Sequence, residues 1–258
     1  MERLIEDIFS DKKVVVITGA GISTLSGARD FKGNDGLYTN GVNVERLLTH
    51  SYVMQHPEEF YEFYSSQMMF DDLEPNIVHK VLAKLEEKNL IEGIITQNVD
   101  MLHEKAGSKN VINLHGDGDK FYCTKCYTPY TSDDFINYHG QCNCDCCNGF
   151  IRPDIVMYDE ALDRRRYWDA LRLVSSADVL LVLGSSLTVT DIQSFLNQFT
   201  HADDPDNILY IVNNKPTRYD SYANMYGATY KDLGEVFERI DEEIKNREPK
   251  QLVKNENN

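Results

Sequence analysis

Apolar positions along the chain change period from segment to segment, and those changes lay out the elements. Leu4, Ile5, Ile8 and Phe9 recur at helical spacing and predict a short helix over residues 2–10. Val14 to Thr18 is a run of five apolar or β-branched residues, which predicts a short buried strand. It runs straight into Gly19-Ala20-Gly21 and a helix-like start at Ile22-Ser23-Thr24. Val42 to Phe70 is helical in pattern, with the aromatic cluster Phe60, Tyr61, Phe63 and Tyr64 suited to a core or to the lining of an apolar channel. Pro75-Asn76 opens a further helix faced by Ile77, Val78, Val81, Leu82 and Leu85, and Asn89 helps to end it. Strands are predicted at 90–95, 111–114, 154–158, 177–183 and 208–212, with helices at 163–175, 189–200 and 234–245. Strands alternating with helices predict an α/β fold built on a parallel sheet.

One stretch breaks this alternation. Phe121 to Asn148 is cysteine-rich, aromatic and turn-rich, and the α/β pattern resumes on both sides of it, so it reads as an inserted module. The last residues, Arg247 to Asn258, are polar and charged and are expected to be disordered.

Composition narrows the classes. At 258 residues the chain can form one large domain, or a large domain with a small one attached. Hydrophobic residues make up 41% and charged residues 26%, ordinary values for a globular protein. No apolar run approaches the roughly 20 residues of a membrane span. The first residues, MERLIEDIFSDKK, lack a signal-peptide core, so a cytoplasmic location is expected. A net charge of −16 argues against gripping nucleic-acid phosphates. It serves solubility, or it favours basic partners such as lysine-bearing peptides.

All six cysteines lie between Cys123 and Cys147. Cys123 and Cys126 form one two-residue-spaced pair, and Cys144 and Cys147 form another. That is the spacing of a four-thiolate structural zinc site, the alternative being a cluster of reactive thiols without metal. Cys142 and Cys146 make the second pair ambiguous, although only Cys144 with Cys147 keeps the two-residue spacing. Four thiolates close the coordination shell, so such a metal would hold the module together and do no catalysis.

Candidate chemistry gathers at the predicted strand ends. A strand, a glycine turn and a helix start make a phosphate cradle, but a full dinucleotide fingerprint needs a glycine at Thr24 and an acidic residue about 20 positions on. A plain strand-to-helix turn therefore stays open for Gly19 to Gly21. Three more strand ends carry small or polar groups: Gln97-Asn98-Val99-Asp100, His115-Gly116 and Gly184-Ser185-Ser186. In a parallel sheet all four can converge on one edge, where such sheets place ligand sites. His115, at a strand end before a glycine and accompanied by Asn98 and Asp100, is a candidate catalytic group.

These pieces, in this order, resemble the sirtuin family of NAD-dependent protein-lysine deacylases. They are Gly19 to Ser23, Ser26-Gly27, Asp30-Phe31, Gly36-Leu37-Tyr38, Pro75-Asn76 with His79, Thr96 to Asp100, Leu102-His103, Ala106-Gly107, His115-Gly116, the two cysteine pairs, Arg152-Pro153-Asp154, Glu160, Gly184 to Leu187 and Asn213. The resemblance runs from about residue 10 to about residue 240. It implies a single catalytic domain over 1–246 with a Rossmann-like large part (about 1–38, 75–120 and 152–246). The small part would combine a helical insert (about 39–74) with a zinc-ribbon module (about 121–151). NAD and an acyl-lysine protein or peptide would meet in the cleft between the two parts.

Carried over residue by residue, the resemblance implies that Gly19, Ala20, Gly21 and Thr24 line the dinucleotide, together with Asp30, Phe31 and Lys32. Phe31 would shield the ribose carbon, Gln97 would contact a ribose, and Asn98, Val99 and Asp100 would surround the nicotinamide. Gly184, Ser185 and Ser186 would bind phosphate or ribose, Asn213 the adenosine ribose, and Asp232 and Leu233 would approach adenine. His115 would be the general base, with Asn98 beside it in the catalytic set, and Cys123, Cys126, Cys144 and Cys147 would hold zinc. An imidazole with an ordinary pKa of about 6.5 suits the role of base near neutral pH.

The chain also departs from the family pattern. Ala28, Arg29 and Lys32 replace the usual Ile-Pro and arginine of the first loop, and Lys32 keeps the charge without the two-pronged geometry. Tyr158-Asp159 replaces Phe-Gly before Glu160, and Asp191 stands where proline is common. Gln67 stands three residues after Tyr64 where members acting on acidic acyl groups carry arginine, so the cation that would neutralise such a group is missing and poor desuccinylase activity is expected. Mono-ADP-ribosyl transfer or NAD hydrolysis on the same scaffold, and a non-catalytic NAD- or zinc-dependent module, are the competing expectations.

Overall fold

The side chains of Val14–Thr18 point alternately into two different cores, which is why this strand is apolar throughout. In the computed structural model, residues 1–28, 43–70, 72–137, 143–200, 207–220, 225–230 and 232–247 are described. The chain begins with α1 (Glu2–Ile8) and β1 (Val14–Thr18), followed by a 3-10 helix over Ala20–Ser26. Then come α2 (Val44–Leu47), α3 (His50–Gln55), α4 (Pro57–Gln67), α5 (Ile77–Glu87), β2 (Gly93–Thr96), α6 (Leu102–Lys105) and β3 (Val111–Asn113). β4 (Gly116–Cys123), β5 (Pro129–Thr131), α7 (Ser132–Asn137) and β6 (Ile151–Ile155) form the next group. α8 (Arg164–Ser175), β7 (Val179–Leu183), α9 (Thr190–Thr200), β8 (Ile208–Asn213), β9 (Met225–Tyr230) and α10 (Leu233–Arg247) complete the described chain.

Six strands form one sheet in the order β3-β2-β1-β7-β8-β9, every neighbour parallel. Val14 and Val16 face a layer made by α1, α5 and α10, through Leu4, Ile8, Val81, Leu82, Phe237 and Ile240. Val15 and Ile17 face the opposite layer, through Ala170 and Val174 of α8 and Phe195 and Leu196 of α9. Burying each such side chain contributes roughly 1.5–3 kcal/mol. The strand order reverses direction between β1 and β7, the place where a doubly wound sheet opens a crevice at its carboxyl edge.

A second sheet is antiparallel, in the order β5-β4-β6, and packs with the helical insert as a small domain. Its core is aromatic: Phe121 stacks on Phe135 with centroids 4.5 Å apart and meets Tyr64 edge-on at 5.9 Å. Phe60, Tyr61 and Tyr64 of α4 are therefore core residues. Tyr64 is fully buried, its hydroxyl donating to the Gly118 carbonyl at 3.4 Å, while Gln67 lies on the exposed end of α4.

Two expectations change. The helical pattern of 42–70 divides into three helices, and Pro57, which lacks an N–H, starts the third rather than continuing α3. The strand expected over 154–158 lies at Ile151–Ile155 and pairs antiparallel with β4, outside the parallel sheet. β6 is an edge strand, which accommodates Pro153. β4, β5 and β9 have no counterpart among the expected strands. Among the described residues no helix is long and apolar enough to cross a membrane. Residues 29–42 and 248–258 fall outside the described part, and with them the expected ligands Asp30, Phe31 and Lys32 and most of the expected disordered tail.

Candidate active site

The carboxyl ends of β1, β2, β3 and β7 bring the four small or polar strand ends together. Two glycine turns press directly against each other at the crevice. Gly19 and Gly21 donate their N–H groups to the carbonyls of Leu183 and Gly184, at 3.0 and 2.9 Å. Gly184 has φ +59°, and a Cβ there would stand 2.6 Å from the Ile22 nitrogen. Only glycine allows this backbone-on-backbone contact. The turn after β1 is thereby tied to the turn after β7, with Ala20 half-buried and Thr24 exposed at the crevice.

The turn after β2 is knitted onto the same place. Asn98 donates from Nδ2 to Gly19 O (3.2 Å) and to Ser23 Oγ (3.1 Å). Ser23 Oγ in turn donates to Asp100 Oδ2 at 2.6 Å, and Asp100 Oδ1 accepts from the Leu102 N–H at 3.0 Å. Burial raises the Asp100 pKa, with the Ser23 and Leu102 hydrogen bonds opposing that shift. Val99, half-buried, accepts on its carbonyl from the Gly118 N–H at 2.9 Å and so links this turn to β4 of the small domain.

Gln97 connects the remaining strand ends. Its N–H donates to Thr18 O (2.9 Å), its carbonyl lies 2.9 Å from His115 Nδ1, and its side-chain Oε1 accepts from Ser185 Oγ at 2.7 Å. A carbonyl can only accept, so His115 carries a proton on Nδ1 and leaves the Nε2 lone pair free. Burial lowers the His115 pKa, while the Gln97 hydrogen bond and the Asp191 charge pull it back up. The ring is therefore neutral and basic at neutral pH. Its position depends on Gly116, whose φ is +103° and whose Cβ would stand 2.1 Å from Asp154 O.

The adenosine-side candidates sit farther along the edge. Asn213, at the end of β8, donates from Nδ2 to the carbonyls of Ser185 (3.2 Å) and Lys215 (3.1 Å). Ser186 is exposed, its hydroxyl 3.0 Å from Thr188 Oγ1. Asp232 accepts from the Gly234 N–H at 2.7 Å at the start of α10, whereas the Leu233 side chain is buried in the same core as Ile22. Ser23 was not among the expected ligands, although it joins Asn98 to Asp100. Its place in the Gly19 to Ser23 piece was the signal for it.

The loop after β6 is fastened to the helical insert. Glu160 receives Arg152 through two bonds (2.6 and 2.8 Å), and the Asp159 carboxylate accepts from the N–H groups of His50 (2.5 Å) and Ser51 (3.0 Å). Asp159, the departure from the family's glycine, thus caps the start of α3.

In the small domain, one ligand atom from each of Cys123, Cys126, Cys144 and Cys147 lies within 4.8 Å of the others. Tyr127 (φ 59°) and Asn148 (φ 54°) follow the two pairs in the left-handed conformation, giving both knuckles the same tight turn. Lys125 N–H donates to Cys123 Sγ at 3.4 Å, and Tyr130 hydroxyl donates to Cys144 Sγ at 3.1 Å. Four convergent sulfurs with outer donors fit a tetrahedral zinc ion. Cys146 is exposed and outside the quartet, which resolves one of the two ambiguities, and Cys142 lies outside the described residues.

Known proteins share this arrangement. An NAD-dependent protein deacetylase of Staphylococcus epidermidis is 38% identical over 244 residues, covering 93% of this chain and 96% of that protein. The protein of the same description from Clostridium perfringens is 36% identical over 244 residues, with 92% and 98% covered. Among solved structures, Sir2 with deacetylated p53 peptide and 3'-O-acetyl ADP ribose superposes with a TM-score of 0.87 at 37% identity, covering 94% of this chain and 98% of that one. Sir2 with p53 peptide and NAD+ gives 0.83 at 37% identity, with 95% and 98% covered. The model of the Sir2 family matches residues 19–191, two-thirds of the sequence and all four strand-end turns named above, so the chain belongs to the Sir2 family.

Proposed function

We propose that this protein removes acyl groups from lysine side chains at the expense of NAD, releasing nicotinamide and passing the acyl group to ADP-ribose. The observation that carries this reading is the His115–Gln97 contact: it leaves one neutral imidazole nitrogen as a base beside the joined glycine turns. Bound NAD supplies an electrophilic ribose carbon and the hydroxyls that receive the acyl group.

The chain's own residues then divide the work. Gly19, Ala20, Gly21 and Thr24 would line the dinucleotide, Gly184, Ser185 and Ser186 would hold phosphate or ribose, and Asn213 would hold the adenosine ribose. Gln97 would contact a ribose. Asn98, Val99 and Asp100 receive the carboxamide, for which the buried Asp100 carboxyl and the Asn98 amide are chemically suited. His115 Nε2 accepts the proton of a ribose hydroxyl. Exclusion of water would keep the reactive sugar from being intercepted. Zinc on Cys123, Cys126, Cys144 and Cys147 keeps the small domain folded. The acyl-lysine peptide enters beside the Asp159–Glu160 loop, and basic residues flanking its neutral acyl-lysine suit a chain of net charge −16. With Gln67 in place of a cation, succinyl-lysine is a poorer substrate than acetyl-lysine. We place the reaction in the cytoplasm, where thiolates stay reduced.

Incubation with NAD and an acetyl-lysine peptide tests this directly. Nicotinamide, deacetylated peptide and O-acetyl-ADP-ribose should form in equal amounts. Nicotinamide without peptide turnover would replace deacylation by hydrolysis or ADP-ribosyl transfer, and no NAD consumption would leave a binding module only.

A further inference from the structure

Behind the glycine turn lie two buried histidines that none of the proposed steps uses. His79 belongs to the first turn of α5 and His103 to α6, and neither ring residue is more than 1% exposed. Their rings meet edge to face with centroids 5.0 Å apart. One nitrogen of each is engaged. His79 Nδ1 accepts from the Asn76 N–H at 3.4 Å in the capping box that starts α5, so its proton resides on Nε2. His103 Nε2 lies 3.0 Å from Thr18 Oγ1. The other two nitrogens, His79 Nε2 and His103 Nδ1, are buried and have no hydrogen-bond partner among the described residues.

Both rings lead to the same turn from opposite sides. Asn76, beside His79, donates from Nδ2 to Ile22 O and Ser26 Oγ, each at 2.8 Å, and so holds the far end of the 3-10 helix. Thr18, beside His103, immediately precedes Gly19 and accepts the Gln97 N–H on its carbonyl. We propose that one buried water bridges His79 Nε2 and His103 Nδ1, and that the joined histidines are positioning residues for the glycine turn.

The donors and acceptors close in a single direction. Asn76 N–H donates to His79 Nδ1, and His79 Nε2–H donates to the water. The water donates to His103 Nδ1, and His103 Nε2–H donates to Thr18 Oγ1. Every ring nitrogen is then satisfied with both rings neutral, as two adjacent buried imidazoles require. A buried water needs at least two polar partners, and these two nitrogens, on rings whose centroids are 5.0 Å apart, supply them. The chain of bonds fixes both ends of the turn at once, independently of the Gly184 contact.

The inference rests on the turn being the NAD floor, and two measurements separate it from that reading. Long-range 1H–15N spectra of histidine-labelled protein, recorded without NAD, should show both rings protonated on Nε2 only. His103→Leu should raise the KM for NAD about tenfold with kcat little changed, and His103→Gln, which can still donate to Thr18, should recover most of the loss. A proton on Nδ1 of either ring overturns the proposal whether or not the variants fold or NAD is turned over. So does a His103→Leu protein with an unaltered KM for NAD. Correct tautomers in a protein that does not bind NAD would keep the pair and reject the cofactor reading.

Discussion

The imidazole of His115 is oriented by a backbone atom, the carbonyl oxygen of Gln97, 2.9 Å from its Nδ1. No carboxylate takes that place; the carbonyl, with the Asp191 charge, raises the ring's pKa against the larger lowering by burial. The side chain of Gln97 meanwhile serves another strand by accepting from Ser185 Oγ at 2.7 Å. One residue thus holds the base through its main chain and the cofactor turn through its side chain, and mutation can separate the two.

Gln97→Ala removes only the side-chain function. It should raise the KM for NAD about tenfold by freeing Ser185. The pH dependence of kcat should not move, because the carbonyl facing His115 remains. A shifted pH profile would show that the side chain also tunes the base.

His115→Ala should lower deacylation by a factor of about 10²–10⁴, the usual contribution of a general base. NAD affinity, read by calorimetry, should change little, since the contacts among Gly19, Asn98 and Gly184 do not involve the ring. Retained turnover would remove His115 from the mechanism.

Acid should destabilise the protein through its buried histidines. Burial lowers His79 to about 4, and burial together with the neighbouring His79 lowers His103 to about 3. Unfolded, both titrate near the ordinary value of about 6.5. Below that value the unfolded chain binds more protons, so stability rises with pH. The contribution is complete above about 6.5 and is lost as pH falls towards the folded values. For His79 alone the difference amounts to roughly 3 kcal/mol. Denaturation midpoints should therefore fall more steeply between pH 6.5 and 4.5 for the parent than for His79→Gln; equal slopes would assign the titration elsewhere.

Metal removal should act on the small domain. The purified protein should carry about one zinc ion per chain, and a chelator should expose the region around the cysteines to protease before the parallel sheet. Cys126→Ser should do the same. Unchanged melting and protease resistance after stripping would mean that the four thiols hold the module without metal.

Asp159→Ala removes the acceptor of two N–H groups at the start of α3. Partial desolvation of this exposed carboxyl works against its ionisation, but the bonds from Ser51 and His50 prevail and lower its pKa. Loss of the cap should lower Tm by about 2–4 °C, and Asp159→Asn by less. The KM for peptide should rise in the alanine variant while the KM for NAD stays constant; a change in the latter alone would contradict the assignment of this loop to the peptide side.

Local patterns made much of the scaffold legible. Val14 to Thr18 and Val179–Leu183 are apolar throughout because both faces of a covered parallel sheet are buried. Asn76 and Asp163 mark helix starts in the sequence, and their side chains accept from Val78 and Arg166. β6 was misplaced because Arg152 and Pro153 suit a strand poorly, and their place is secured by nonlocal partners: Glu160 for the arginine and β4 for the backbone. Pro57 was read through, although its missing N–H splits the helical insert.

The sequence by itself determined the α/β class, the glycine turn, the four-cysteine spacing and the set of polar strand ends, since each follows from residues close together in the chain. Only the tertiary structure decided which nitrogen of His115 is free, that Ser23 links Asn98 to Asp100, and that Gly184 presses on Gly21. It also brought His79 and His103 into edge-to-face contact. These are contacts between residues far apart in sequence, and their geometry depends on strand order and on backbone approach, which no local pattern encodes.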